Sequence, residues 1–166
     1  MLRREIPSPE RMQLLARYLG QADDLEGVMQ KVPEAKIHQP SAPGEWSPHQ
    51  VLVHTRDVEV RAYHVRLERI LKQDNPQFED FDAEGWMRDH YRASEPVEVV
   101  VNSFVAARQR AKMLTHDMTP SDWERTGTHA ETGPRSFEWW MIRSIEHAQE
   151  HLDELVRRLA AIDQEA

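Results

Sequence analysis

The sequence contains no cysteine. Disulfide bonds, thiolate metal sites and a cysteine nucleophile are therefore excluded, and the absence agrees with a reducing compartment. It also lacks a long apolar run, and no apolar segment follows residues 1–5. We therefore expect a cytoplasmic protein that is neither exported nor inserted into a membrane. Lysine and arginine form no block and the net charge is −8, which disfavours binding to nucleic acid or to an acidic membrane.

The pattern of apolar residues predicts helices and no strands. With 166 residues, we expect one domain over residues 1–166 with a buried core. Apolar residues recur at three- and four-residue spacing in four long segments, and no alternating strand pattern is present. The predicted helices cover roughly residues 9–32, 48–72, 94–116 and 136–161, with long connections at 33–48 and 127–134. This is typical of an all-α four-helix bundle.

The second predicted helix has the clearest start signal. Ser47 is a suitable N-cap, Pro48 suits the first helical position, and Gln50 completes a capping box. The inward stripe of this helix then contains His54. The series reads Val51, His54, Val58, Ala62, Val65. A polar side chain without a partner is costly among apolar neighbours, so His54 needs a partner inside the bundle.

The last predicted helix carries His147 and His151 one turn apart on the margin of its apolar stripe. Side chains at this spacing lie about 5–6 Å apart at Cβ, so two neutral imidazoles can bind one divalent metal if a third ligand is supplied from elsewhere. His54 is the candidate for that third ligand. Three histidines would leave coordination positions open for water or substrate, as catalytic sites do. The alternative is that these are ordinary core or surface histidines.

Two carboxylates accompany the histidines. Glu150 lies within the segment His147–His151, which fits the His-x-x-Glu-His pattern of inverted zinc peptidases. The large α/β fold of those enzymes is not predicted here, but Glu150 could still act as a base. Asp57 is one turn from His54 and is a candidate to orient it or to act as a base. The di-iron pattern of two Glu-x-x-His pairs is absent, which argues against a ferritin-like oxidase.

Other polar residues are candidates for contact with a substrate or cofactor. His129, in the segment Gly127-Thr128-His129, is a candidate for a position above the site, with an ordinary loop histidine as the alternative. Arg108 is a candidate anchor for an acidic cofactor, as are Arg56 and Arg143, although arginines on helices are usually solvated.

Three segments together resemble the DinB family. They are 44–57, with Glu45-Trp46-Ser47-Pro48 and His54; 122–129, with Asp122-Trp123; and 137–155, with His147 and His151. The resemblance spans nearly the whole chain, and its relatives include bacillithiol S-transferases and mycothiol-dependent maleylpyruvate isomerases. It implies a bundle of variant up-and-down topology, often a homodimer. It also implies one divalent metal, commonly zinc or nickel, on His54, His147 and His151.

Three functions follow as hypotheses. The leading one is a metal-dependent transferase that joins a low-molecular-weight thiol to a small electrophile, as characterised family members do. The second is a metal-dependent hydrolase with Glu150 or Asp57 as base, and the third is a bundle that binds metal or ligand without turnover. We also expect a homodimer, because of the resemblance and because Phe78, Phe81 and Trp86 are aromatics outside the predicted bundle.

Overall fold

Long helices dominate the computed structural model, which describes residues 7–164, with side chains of the last helix described through residue 161. Residues 1–5, on which the expectation of a non-exported protein partly rests, lie outside this part. The helices are α1 (Pro9–Lys31), α2 (Pro48–Val58), α3 (His64–Lys72), the short α4 (Ala83–His90), α5 (Val97–Thr115) and α6 (Phe137–Gln164). A π-helical turn, Glu59–Tyr63, joins α2 and α3 into one rod. None of the helices described is long and apolar enough to cross a membrane.

The helices pack as a four-helix bundle, which confirms the predicted fold. α1 packs mainly against α5 and α6, and the α2–α3 rod packs against the same two helices. α1 and the rod therefore stand on one diagonal of the bundle, and α5 and α6 stand on the other. The connection from α1 to α2 and the connection from α5 to α6 each join helices on a diagonal, so each crosses an end of the bundle. This agrees with the variant topology that the family resemblance implies.

Two helices begin at a serine cap followed by proline, and one of them is the start of α2 that the sequence predicts. The Ser8 side chain accepts a hydrogen bond from the backbone N–H of Arg11 at 3.3 Å. The Ser47 side chain accepts one from the N–H of Gln50 at 3.3 Å, and the Gln50 side chain accepts one from the N–H of Ser47 at 2.9 Å. This reciprocal capping box satisfies two backbone donors at the start of α2. The first turn of α2 is therefore well defined, and so is the face that the following turns present to the bundle.

The π-helical turn changes which face of the rod is buried. A π turn contains more residues than an α turn, so the inward face moves by one position beyond it. Val65, which regular spacing predicts to face inward, is 38% exposed, whereas Arg66 and Leu67 are buried. The prediction for Val65 is therefore wrong, because the pattern assumed uninterrupted α-helical spacing.

A small sheet lies where the sequence predicts a connection without regular structure. Its strands are β1 (Gln77–Phe78), β2 (Thr126–His129) and β3 (Gly133–Ser136), with β1 parallel to β2 and β2 antiparallel to β3. It packs on α3 and α6. A Cβ at Gly127 would lie 2.3 Å from a ring carbon of Phe78, so only glycine allows this close packing. The connection at 127–134 is therefore corrected to part of a β-hairpin, whose four-residue strands are too short for alternation to be visible.

A buried polar network ties the four long helical segments together. Arg108 of α5 is 0% exposed. Its guanidinium donates to the Tyr18 carbonyl at 2.6 Å, to Gln21 Oε1 at 3.1 Å, to Glu59 Oε2 at 3.0 Å and to Ser144 Oγ at 3.2 Å. The hydroxyls of Tyr18 and Ser144 donate to Glu59 at 2.7 and 2.6 Å. The Glu59 carboxylate therefore has three donors around it, although it is almost completely removed from water.

The aromatic residues outside the bundle are largely covered by this chain. Phe78 is buried, and Phe81 packs on the core. Trp86 stacks on His90 with 3.7 Å between ring centroids, and the Arg61 guanidinium lies 3.7 Å from the Trp86 ring. These residues therefore do not form the exposed apolar patch that the homodimer prediction assumed. That prediction now depends on the family resemblance alone.

Candidate metal centre

Three histidines meet where α2 packs against α6. The ring centroids of His54 and His147 are 5.3 Å apart, those of His54 and His151 are 4.8 Å apart, and those of His147 and His151 are 4.6 Å apart. One ring nitrogen from each residue lies within 4.8 Å of the others. The structure thus brings together the three residues that spacing and burial single out in the sequence.

The helix faces explain this convergence. His54 comes one turn after Val51, which is fully buried, and it is itself only 9% exposed. On α6, His147 and His151 adjoin Ala148, which is 1% exposed and belongs to the same core cluster as Val51. The pair therefore lies on the margin of the inward stripe and faces the α2–α3 rod across the bundle interior.

The spacing of two ring nitrogens fits a shared metal ion. Nε2 of His54 and Nε2 of His147 are 3.3 Å apart. Two nitrogen ligands at about 2.0–2.1 Å from a tetrahedral ion are about 3.4 Å from each other. Nε2 is therefore the nitrogen of His54 that faces the cluster. The other ring nitrogen, Nδ1, is buried and has no hydrogen-bond partner among the residues described. The three residues present therefore suit a small divalent ion.

Burial holds two of the three imidazoles in the form that a metal requires. Removal from water lowers the pKa of His54 to about 4, and the neighbouring His151 adds to this effect. Burial likewise lowers the pKa of His147 to about 3, with further contributions from His151 and His54. Both rings are therefore neutral at neutral pH. A neutral imidazole keeps a lone pair for coordination, and a protonated one does not.

The third histidine contacts Glu154, a carboxylate that the sequence pattern does not single out. Nδ1 of His151 lies 3.1 Å from Glu154 Oε2. Arg158 donates to the other oxygen of Glu154 from Nε at 3.2 Å and from Nη2 at 2.5 Å. Burial raises the pKa of Glu154, but the hydrogen bonds from Arg158 and His151 outweigh it and hold that pKa below its usual range. The i, i+3 and i, i+4 spacing of these residues on α6 was a visible signal in the sequence.

Two aromatic rings border the histidine cluster. The Trp46 ring lies 4.9 Å from the His54 ring, and the Tyr63 ring lies 5.6 Å from the His147 ring. Trp46 also forms one wall of a surface groove of about 540 Å³. The other lining residues are Gln50, Glu84, Met87, Arg88 and Tyr91. A groove of this size is in the range of small-molecule sites. Trp46 lies between the groove and His54, and the three histidines do not line the groove.

Asp57 does not orient His54. Its Oδ1 accepts a hydrogen bond from Arg56 Nε at 2.7 Å. Arg56 also forms a double hydrogen bond to Glu95, at 2.9 Å from each of its two terminal nitrogens. Nδ1 of His54 has no partner in the described part of the chain. The prediction of Asp57 as the orienting carboxylate is therefore corrected, because Arg56 binds this side chain. The same contacts engage Arg56, which is not free to anchor a cofactor.

Glu150 is exposed on α6, between His147 and His151 in sequence. It therefore lies at the outer edge of the face that carries the two histidines, where a carboxylate stays in contact with water. Arg143, on the preceding turns, pairs with Glu146 at 2.5 Å and is partly exposed. The structure leaves Glu150 available as a proton acceptor at the rim, and its predicted role as a base stays a prediction.

His129 is not in the histidine cluster. It is 4% exposed, and its Nε2 lies 3.2 Å from Nη2 of Arg66. Its ring packs 5.6 Å from the Trp140 ring, which in turn lies 6.4 Å from Tyr63, the residue that contacts His147. His129 is therefore two aromatic rings away from the cluster. The prediction that it contacts substrate is corrected to a role in packing the hairpin onto α3 and α6.

Arg108 cannot anchor a cofactor in this structure. Its guanidinium is fully buried in the polar network of the bundle and pairs with Glu59 at 3.0 Å. It also lies 3.8 Å from the Tyr18 ring centroid. Its charge made it a candidate anchor for an acidic cofactor, but its partners lie on the other helices of the bundle. The prediction of Arg108 as a cofactor ligand is therefore corrected to a structural role.

These features define a class of candidate metalloproteins: four-helix bundles of variant topology with a half-buried cluster of three histidines. Two of the histidines lie on the last helix and one lies on the second. The chain belongs to the DinB superfamily, whose sequence model matches residues 17–155. This match covers most of the chain and includes all three histidines, so it confirms the family that the resemblance indicated.

One curated relative is a protein of Oceanobacillus iheyensis that carries the name "Putative metal-dependent hydrolase". The two sequences are 32% identical over 90 residues, which is 54% of this chain and 51% of the relative. The matched region thus spans about half the length of that relative.

Solved structures support the fold independently. YfiT from Bacillus subtilis, described as "a probable metal-dependent hydrolase with an unusual four-helix bundle topology", superposes with a TM-score of 0.77 at 18% identity. The superposition covers 96% of this chain and 93% of YfiT. A four-helix bundle protein named TT2238 gives a TM-score of 0.62 at 19% identity, over 87% of this chain and 97% of its own. At these identities, the similarity establishes the fold.

Proposed function

We propose that this protein is a metal-dependent enzyme that binds one divalent ion per chain through His54, His147 and His151. The observation that carries the proposal is the convergence of three ring nitrogens within 4.8 Å, two of them 3.3 Å apart. The name of the Oceanobacillus relative supports metal dependence. Zinc or nickel is the proposed ion, because imidazole suits both and because the family resemblance implies them.

The residues around the cluster suit activation of a small nucleophile. When bound, a divalent ion with three nitrogen ligands keeps open positions and lowers the pKa of a thiol or water molecule that occupies one of them. His54 and His147 stay neutral because removal from water lowers their pKa values, so they add no charge of their own. Trp46 and Tyr63 cover two sides of the cluster and restrict water there. The groove beside Trp46 offers room for a small-molecule substrate.

We propose thiol transfer as the reaction. A low-molecular-weight thiol loses its proton, its sulfur forms a bond to a carbon of a small electrophile, and any leaving group departs with its electron pair. Glu150 is the proposed proton acceptor, because its carboxylate is exposed on α6 between the two histidines of that helix. The support for a thiol over water as the nucleophile is the resemblance to thiol-dependent transferases.

Hydrolysis is the second candidate. The observation in its favour is that both the Oceanobacillus relative and YfiT carry hydrolase descriptions. Glu150 would again be the base. Asp57 is less suitable than Glu150, since its carboxylate is buried against Arg56.

The first experiment measures metal content. Purified protein is stripped with a chelator, reloaded with zinc or nickel, desalted and analysed by elemental mass spectrometry. We expect about one ion per chain in the wild type and a large loss in the His147→Ala/His151→Ala double variant. A matched control is His116→Ala, because His116 is exposed at the end of α5 and is not part of the histidine cluster. Full occupancy in the double variant would refute the proposed site.

The second experiment separates the two reactions. The loaded protein is incubated with a general electrophile or an activated ester, with and without several low-molecular-weight thiols, and the products are identified by mass. Thiol adducts that require both metal and thiol support transfer. Thiol-independent, metal-dependent cleavage supports hydrolysis instead. A loaded protein that catalyses neither would favour a binding role without turnover.

We further propose that the protein acts in the cytoplasm and forms a homodimer. The first proposal is consistent with the absence of cysteine and with the use of a free thiol, which a reducing compartment maintains. The second follows from the family resemblance and is tested below.

A further inference from the structure

Glu154 is held in a fixed orientation next to His151. Oε2 lies 3.1 Å from Nδ1 of His151, and Oε1 receives two hydrogen bonds from Arg158. Each oxygen of the carboxylate thus has its own partner. Only 26% of the Glu154 side chain and 10% of the Arg158 side chain are exposed. Solvent therefore competes weakly for these contacts, and the geometry is better defined than that of a typical surface ion pair.

Arg158 extends this chain of contacts to the other side of the cluster. Its Nη1 donates to Ser41 Oγ and to Glu45 Oε2, both at 3.2 Å. Those residues belong to the connection between α1 and α2, which continues directly into Trp46. The Trp46 ring packs 4.9 Å from His54. One guanidinium therefore links the residue that contacts His151 to the segment that covers His54.

The contact with Glu154 decides which nitrogen of His151 is free. A neutral imidazole has one donor nitrogen and one acceptor nitrogen, and an ionised carboxylate only accepts hydrogen bonds. In the neutral His151 ring, the proton therefore resides on Nδ1 and points at Glu154. The lone pair of Nε2 is then available to bind a metal ion in the cluster. Without the carboxylate, both tautomers are accessible and the ring can rotate away. Carboxylates in this position also raise the basicity of the ligand, and their loss commonly reduces metal affinity about 10–100-fold.

We propose that Glu154 is a positioning residue of the metal centre, which fixes the tautomer and orientation of His151, and that Arg158 keeps Glu154 in place and attaches it to the segment carrying Trp46. This inference rests on the proposed metal-binding function. It adds two residues to the site that neither the three-histidine pattern nor the family match assigns. The side chain is expected to act through His151 and not by direct contact with substrate.

The test compares Glu154→Ala and Glu154→Gln with the wild type. Zinc affinity is measured by competition with a chromophoric chelator, and the His151 tautomer is measured in the metal-free proteins by NMR of the ring nitrogens. We expect Glu154→Ala to bind zinc about 10–100-fold more weakly and to lose the uniform Nδ1-protonated tautomer. Glu154→Gln should recover part of both, because its amide oxygen still accepts a hydrogen bond. Asp153→Ala is the matched control: Asp153 is the exposed neighbour of Glu154 and pairs with Gln149, so this variant should bind zinc like the wild type.

The two readouts distinguish failure of this inference from failure of the proposed function. If wild-type protein binds no zinc, the proposed function fails, and the tautomer measurement still decides whether Glu154 sets the state of His151. Wild-type zinc affinity and an unchanged tautomer in Glu154→Ala would overturn the inference. If Glu154→Ala does not fold, Arg158→Lys provides the comparison, because lysine keeps the charge but cannot make the two hydrogen bonds from Nε and Nη2 to Glu154. We then expect weaker zinc binding and a less uniform Nδ1-protonated tautomer in Arg158→Lys, and wild-type values of both would overturn the inference.

Discussion

Replacing Arg108 by methionine tests whether this residue is structural, as its contacts indicate, or an anchor for an acidic cofactor, as the sequence analysis predicts. In the wild type, the guanidinium is 0% exposed and pairs with the Glu59 carboxylate, which is 2% exposed. Methionine fills much of the same volume but removes the positive charge and four donated hydrogen bonds. Glu59 then keeps only the hydroxyl donors of Tyr18 and Ser144.

The expected cost follows from these contacts. Removing one partner of a buried ion pair costs about 3–5 kcal/mol, because the other charge stays buried without compensation. A typical domain is stable by about 5–15 kcal/mol, so the variant should lose a large part of its free energy of unfolding. For a chain of this length, about 1 kcal/mol corresponds to a change in Tm of about 2–4 °C. We therefore expect Tm to fall by about 10 °C.

The assay is urea denaturation followed by circular dichroism, with a double variant as the internal check. Adding Glu59→Gln to Arg108→Met removes the uncompensated charge, and the amide can still accept from the hydroxyls. The double variant should therefore be more stable than Arg108→Met alone. Arg110→Met, on the exposed side of the same helix, should change stability by less than about 0.5 kcal/mol. A stably folded Arg108→Met protein with a raised KM for thiol would refute the structural assignment.

Three further outcomes are expected. His54→Ala should lose most bound metal while circular dichroism still reports a folded bundle, because apolar packing and not the ion holds the four helices together; unchanged metal content would make His54 a simple core residue. In metal-free protein, stability should fall as pH is lowered from about 6.5, because the unfolded chain binds protons before His54 and His147, whose pKa values are about 4 and about 3. Urea denaturation at pH 7.5 and 5.5 should show a loss of about 1 kcal/mol per histidine, and His54→Ala should reduce that loss. Light scattering at micromolar concentration should give the mass of a dimer, and a mass of 19.5 kDa would contradict the homodimer.

The π-helical turn connects the structural network to the candidate site. Glu59, which accepts from Arg108, begins this turn, and Tyr63, whose ring lies against His147, ends it. Glu59, which serves the buried network, and Tyr63, which borders the histidine cluster, are therefore only four residues apart in the same π-helical segment. Extra residues of this kind often occur near functional sites. A change in the Glu59 network is therefore expected to affect the environment of His147 as well as the stability of the bundle.

The helices and the three histidines could be predicted from the sequence because they depend on local chemistry. The serine–proline starts and the 3.6-residue spacing of apolar residues are properties of one helix at a time. His147 and His151 share a face for the same reason. His54 was found because a polar residue in an apolar stripe requires a partner. These patterns can be recognised in the sequence of a single helix without knowledge of its neighbours, and the structure agrees with each of them.

The roles of the remaining polar residues depended on contacts between segments distant in sequence. Arg108 has the charge of a cofactor anchor and Asp57 has the spacing of an orienting carboxylate, but Glu59 and Arg56 bind them. The pattern within one helix does not contain that information. His129 is buried in the hairpin, since backbone pairing of three short strands places it beside Arg66. Glu154 shows the opposite. Its spacing from His151 is visible in the sequence, but its orientation depends on Arg158 and on the contacts of Arg158 with the connection between α1 and α2. The helices and the grouping of the three histidines thus follow from local sequence. Contacts between distant segments decide which charged side chains lie at the site and which lie in the core, because a buried charged side chain pairs with the partner that the fold brings within its reach.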